Sequence, residues 1–184
     1  MRARDELDVV FICTGNRFRS PLAELLFRHA AAEFPVRTSS RGTLELGPLP
    51  ALPEAFEEAE RLGLDLSRHR TRALDGEDLS DADLVIGFER MHVLTAVMDA
   101  HAQRARTFTL PELVELLEQG PRPAAADSVE RAREAIAAAA SARSRRHAMP
   151  ELPDPIGRSR RFFRETAAEL EDLVGRLRDG LFGG

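Results

Sequence analysis

Tryptophan, tyrosine and lysine are missing from the 184 residues, and cysteine occurs once. A lone thiol cannot close an intramolecular disulfide, complete a cysteine-rich zinc site or form a CxxC redox pair. Any sulfur chemistry therefore falls to Cys13. No apolar run approaches the roughly 20 residues that span a bilayer. The opening residues Met1-Arg2-Ala3-Arg4-Asp5-Glu6-Leu7-Asp8 lack the apolar centre of a secretory signal, so a cytoplasmic protein with no membrane partner is expected. The net charge of −5 argues against nucleic acid as a partner, because phosphate-backbone binding needs a basic surface. All 26 basic residues are arginine, which we read as compositional bias.

What is present is an ordinary balance of 43% hydrophobic and 31% charged residues. The length suits one domain with a sizeable core, residues 1–184. Strand-like apolar runs at 8–12 and 82–88, with weaker ones at 36–40 and 104–110, alternate with helical patterns. A helix starts at Ser20-Pro21, since proline at a first helical position loses no needed N–H, and places Leu22, Leu25, Leu26 and Ala30 on one face. Others run from Pro53 to Arg61, stopped by Gly63, from Glu89 to Ala100 with Met91, Leu94, Val97 and Met98 inward, and from Pro111 to Glu118. Arg41-Gly42-Thr43 and Gly47-Pro48-Leu49-Pro50 read as loop. The alternation predicts an α/β fold, a doubly wound four-stranded parallel sheet with helices on both faces and ligands beyond the strand carboxyl ends.

The second half reads as a Pro/Ala linker at 120–126 and an alanine-rich helix begun by Asp127 with Glu130. A basic cluster of Arg143, Arg145, Arg146 and His147 reads as a solvated helix end. A proline-rich loop at 150–157 precedes a last helix from Ser159 to about Leu177, with Phe163, Leu170 and Val174 in the core. Residues 119–149 carry no motif, and no internal repeat is found.

Cys13 closes the first apolar run, and Arg19, Ser20 and Pro21 follow within a short loop. A loop between a strand end and a helix N-terminus turns its N–H groups inward, and the helix dipole adds positive potential for an anion. Cys13 at its base would be held as thiolate, and Arg19 offers a planar fork to two phosphate oxygens. Gly15 and Asn16 tolerate left-handed backbone, and Ser20 can donate to the sulfur. Alone, Cys13 would read as a small buried hydrophobe at a strand end; Gly15, Asn16 and the Ser20-Pro21 helix start turn the reading to an anion loop.

Cys13-Thr14-Gly15-Asn16-Arg17-Phe18-Arg19-Ser20-Pro21 resembles the loop of the low-molecular-weight protein tyrosine phosphatase family, V-C-x-G-N-x-C-R-S-P. Ser40-Arg41-Gly42-Thr43 is similar to that family's S-A-G-T, and His69-Arg70-Thr71-Arg72 to its H-x-A-R. Asp83-Leu84-Val85-Ile86 and the late Asp154-Pro155 extend the likeness over nearly the whole chain. The resemblance implies a cysteine-dependent phosphatase of phosphomonoesters, above all protein phosphotyrosine, working through a cysteinyl-phosphate. Its catalytic residues would be Cys13 as nucleophile, Arg19 and, as general acid, Asp154. Asp127 and Asp99 are weaker alternatives on predicted helices. Phosphate would lie on residues Thr14, Gly15, Asn16, Arg17, Phe18, Arg19 and Ser20. Asn16, Ser20, Ser40 and His69 would hold the loop. The partner would be a phosphorylated protein substrate; oligomeric state is not addressed. No cofactor is implied. His29, His92, His101 and His147 lack metal-ligand spacing such as H-E-x-x-H, and no metal is expected.

Three departures bear on the outcome. Phe18 replaces a second cysteine that could protect the nucleophile in a disulfide. Arg17 stands where relatives carry an apolar residue, or threonine in phosphoarginine-directed members; its charge disfavours a guanidinium leaving group. Ile156-Gly157 replaces aromatic residues that wall the pocket. These last two leave a non-catalytic phosphoresidue-binding module as the competing expectation. Arsenate reduction is disfavoured because it relays oxidation through further cysteines.

Overall fold

The computed structural model describes residues 5–143 and 149–183. Strand β1 (Leu7–Cys13) lies at the centre between β2 (Val36–Gly42) and β3 (Leu84–Gly87), and β4 (Thr107–Thr109) pairs with β3. All pairings are parallel, in the order β2-β1-β3-β4. The helices are α1 (Arg19–Ala30), α2 (Pro53–Arg61), α3 (Arg90–Asp99), α4 (Leu110–Gln119), α5 (Ser128–Ala142) and α6 (Arg160–Phe182).

The two-residue period of β1 divides the core. Leu7, Val9, Phe11 and Cys13 join the larger cluster, with residues of α1, α4, α5 and α6. Val10 and Ile12 point the other way, against Val85, Ala96, Ala100 and Leu79. The sheet is therefore covered on both faces, as parallel sheets are, and α1 leaves from the carboxyl end of its central strand.

The expected elements are present, and three readings change. Arg41 and Gly42 are not loop: they end β2, paired with Ile12 and Cys13. A Cβ on Gly42 would lie 3.1 Å from both Cβ and N of Asn16, so any other residue there would crowd the loop at Asn16. The face of α3 is also different. Met91, Leu94 and Met98 are exposed at 65%, 53% and 74%, while His92, Val93 and Ala96 are buried. Small Ala96 and an anchored His92 let the helix lie close to the sheet, which the larger side chains would prevent. Arg143 is no solvated helix end: its guanidinium stacks 3.8 Å from the Phe108 ring centroid and its Nε lies 2.9 Å from the buried Glu112. Arg145, Arg146 and His147 lie outside the described residues. Among the described residues no helix is long and apolar enough to cross a membrane.

Candidate active site

β1 delivers Cys13, 3% exposed, to the base of a loop in which the carbonyls of Cys13, Thr14, Asn16, Arg17 and Phe18 each accept a hydrogen bond. Thr43 N donates to Cys13 O (3.0 Å), Leu44 N to Thr14 O (3.0 Å), Leu52 N to Arg17 O (2.8 Å) and Leu22 N to Phe18 O (3.1 Å). His69 Nε2 bonds Asn16 O at 2.7 Å. With those carbonyls engaged, amide N–H groups are left to face the sulfur, as Asn16 N does. Helix α1 adds its N-terminus there, with no side-chain cap and no acidic residue in its first turn. Such an arrangement selects for an anion.

Asn16 is the hub of the scaffold. It takes a φ of 51°, a left-handed conformation that asparagine tolerates better than most residues. Its Nδ2 donates to Ser20 Oγ and Ser40 Oγ, both at 2.9 Å, and Oδ1 accepts Arg72 N at 3.0 Å. Ser40 Oγ in turn donates to Glu24 at 2.7 Å. The four residues expected to brace the loop, Asn16, Ser20, Ser40 and His69, are thus brought together. His69 has its pKa lowered, chiefly by burial, opposed by its bond to Asn16 and the charge of Glu24.

The sulfur sits among donors: Ser20 Oγ is 3.0 Å from Cys13 Sγ, and Asn16 N donates to it at 3.2 Å. Arg19 is 1% exposed. Its Nη2 donates to Asp154 Oδ2 at 2.6 Å, and Nη1 to Glu89 Oε2 at 3.0 Å and Leu152 O at 2.9 Å. Asp154 therefore reaches the loop from the far end of the chain. Its Oδ1 accepts Ile156 N at 3.1 Å, so the turn chemistry of the Asp-Pro pair aims the carboxylate. The segment is pinned by Leu152 N to Phe88 O, Arg90 N to Glu151 and Thr109 Oγ1 to Pro150 O. Asp127 caps α5 through Val129 N and Glu130 N, and Asp99 ends α3; among the described residues neither is hydrogen-bonded or ion-paired to the loop.

The remaining loop residues divide by side chain. Thr14, Gly15, Arg17 and Phe18 contribute backbone. The Phe18 ring is buried edge-on against Phe163, 4.9 Å between centroids, a core role that fits phenylalanine in place of a thiol. Arg17 Nε donates to Pro50 O at 3.1 Å, tying the loop to the segment that covers it.

Two residues that sequence reasoning passed over complete the site. Glu89 lies two positions beyond the end of β3 and holds Arg19. His92 Nδ1 accepts Phe88 N (3.2 Å) and Glu89 N (3.1 Å), so Nε2 carries the proton of the neutral ring. It points at Thr14 Oγ1, 3.1 Å away, with Glu89 Oε2 at 3.4 Å. Burial, and secondarily the charge of Arg19, push the His92 pKa down to about 3. The available signal was topological: a residue just beyond a strand beside β1 lies at the carboxyl edge where such sheets bind ligands. Among the described residues no group of three histidine, cysteine or acidic side chains is placed to hold a metal.

The sequence matches the family model described as low molecular weight phosphotyrosine protein phosphatase over residues 8–140. It is similar to a protein-arginine-phosphatase of Bacillus subtilis, 33% identical over 110 residues, 59% of this chain and 73% of that protein. It is also similar to the low molecular weight protein-tyrosine-phosphatase Etp of Escherichia coli, 30% identical over 107 residues, 58% of this chain and 71% of that protein. Among solved structures, the low molecular weight protein tyrosine phosphatase of T. tengcongensis superposes with a TM-score of 0.69 at 28% identity, covering 93% of this chain and 97% of that one. A mutant of the YwlE arginine phosphatase with a phosphorylated active-site serine gives 0.71 at 26%, covering 94% of each chain.

Proposed function

The chain belongs to the low molecular weight phosphotyrosine protein phosphatase family, and we propose that it hydrolyses phosphotyrosine on proteins with Cys13 as nucleophile and Asp154 as general acid. The observation that carries this reading is the engagement of the carbonyls of Cys13, Thr14, Asn16, Arg17 and Phe18, which leaves loop amides free beside Cys13, where Asn16 N already donates to the sulfur. The Cys13 thiolate attacks phosphorus in line with the leaving oxygen. As the S–P bond forms, the P–O bond breaks and protonated Asp154 gives its proton to the departing phenolate. Asp154, now ionised, takes a proton from water as that water attacks the cysteinyl-phosphate, and the S–P bond breaks to release phosphate. The loop amides and Arg19 stabilise the equatorial oxygens throughout. Glu89 and Leu152 O hold the guanidinium in plane for that task.

Arg17 favours a phenolate over a guanidinium leaving group. Its side chain is fixed to the segment covering the loop, and a cation there repels phosphoarginine, the class named for one relative. Leu46, 3.6 Å from the Cβ position of Gly15, and Ile156, bonded to Asp154, give the ring aliphatic walls. A thiol nucleophile with no second cysteine suits a reducing, cytoplasmic compartment.

Para-nitrophenyl phosphate and matched phosphotyrosine and phosphoarginine peptides test the reading. Turnover inhibited by vanadate, abolished in Cys13→Ser, and higher on phosphotyrosine is expected; Arg17→Thr should narrow the preference. Vanadate binding without turnover would leave the non-catalytic module.

A further inference from the structure

Behind the loop scaffold, on the α1 side of His69, lies a polar cavity of about 180 Å³. Four arginines line it, Arg28, Arg68, Arg70 and Arg72, against two carboxylates. Both carboxylates are engaged. Glu24 accepts Ser40 Oγ and Arg28, and Asp65 accepts the N–H and hydroxyl of Ser67. Arg70 Nη1 bonds the carbonyls of Ser67 and His69. Among the described residues, the side chains of Arg68 and Arg72 make no hydrogen bond or ion pair. This local excess of positive charge sits in a chain whose net charge is −5. All four arginines are exposed, so water reaches their guanidiniums, and their forks match phosphate oxygens two at a time.

We propose that this cavity is a second anion site, distinct from the Cys13 loop, that binds a small phosphate-bearing anion of about the size of diphosphate. It does not depend on the phosphatase reading of the loop, yet it touches the same scaffold. Ser40 and His69 line the cavity on one side and hold Asn16 on the other. The anion therefore acts on the bracing of the loop from behind, without entering the concavity that faces Cys13.

His69 reports occupancy. The charged groups around its ring are Glu24 from α1, Arg70 and Arg72 from its own segment, with Arg28, Arg68 and Asp65 on the cavity wall. Its Nε2–H is given to Asn16 O, so a second proton goes to Nδ1. An anion in the cavity favours that protonated form and offsets the burial that now lowers its pKa.

Calorimetric titration of the full chain with diphosphate, with and without saturating vanadate, tests the site alongside NMR titration of His69. One diphosphate should bind with vanadate present and raise the His69 pKa. Arg68→Glu should weaken that binding at least about tenfold, the loss expected for a charged hydrogen-bond donor, with para-nitrophenyl phosphate turnover unchanged when diphosphate is left out. Diphosphate binding that vanadate abolishes, that Arg68→Glu leaves unaltered, or that is undetectable at millimolar concentration would overturn the proposal. Failure of vanadate to bind would count against the catalytic reading only, since the Arg68 dependence of diphosphate binding is read separately.

Discussion

Arg19 Nη2 and Asp154 Oδ2 stand 2.6 Å apart, although 135 positions separate them in the chain. A planar fork is needed for this, because the same guanidinium also serves Glu89 and Leu152 O. Lysine is a point charge and cannot serve all three directions while meeting two phosphate oxygens. Arg19→Lys should lower kcat by about 10²–10³, the range for loss of a preorganised oxyanion donor. Steady-state kinetics on para-nitrophenyl phosphate, with circular dichroism confirming the fold, checks this.

The proton that Asp154 gives away matters most when the leaving group is a poor one. Asp154→Asn should cost roughly 10²–10⁴ on phenyl phosphate and distinctly less on para-nitrophenyl phosphate, whose phenolate departs readily unprotonated. Equal losses on the two substrates would remove Asp154 from the acid role.

Cys13 has no thiol partner with which to form a protective disulfide, and the position that could have held one is filled by Phe18 in the core against Phe163. Peroxide should carry Cys13 beyond the sulfenic stage to acids that dithiothreitol does not reverse. Mass spectrometry of the Cys13 peptide after stoichiometric peroxide, before and after reduction, decides the matter; full recovery of activity would contradict it.

His92 ties stability to pH. It is neutral in the fold, with its pKa pushed from 6.5 to about 3. The unfolded chain takes up a proton below about pH 6.5 and the folded one does not. Stability contributed above that pH is therefore lost as pH falls towards 3, by up to about 1.4 kcal/mol per pH unit from this residue. His92→Asn retains an acceptor for the Phe88 and Glu89 amides and cannot titrate. Urea unfolding midpoints between pH 4 and about 6 should fall less steeply in the variant than in the parent.

Much of the loop could be read in the sequence because its parts are contiguous: a strand end, residues tolerant of left-handed backbone, a fork and a helix start within a few positions. Asp154 required the resemblance, since an Asp-Pro pair alone signals only a turn. Glu89 and His92 stayed hidden because their roles exist only once parallel pairing sets Ile12 beside Gly87, bringing the end of β3 next to the Cys13 loop. The inward face of α3 runs against side-chain size: methionine and leucine suggest core, yet a small alanine and a hydrogen-bonded histidine pack there instead. The charge of Arg143 suggests solvent, because no local pattern announces the Phe108 ring and the buried Glu112 on neighbouring elements.

Gly87 and His92 leave a trace that sequence searches could use. A Cβ on Gly87 would come within 2.8 Å of His92 Cβ, so a larger residue at 87 and the present placement of His92 exclude one another. The atom it would meet is a Cβ, which every residue but glycine carries, so relatives whose α3 approaches β3 this closely should keep glycine at 87 whatever side chain stands at 92.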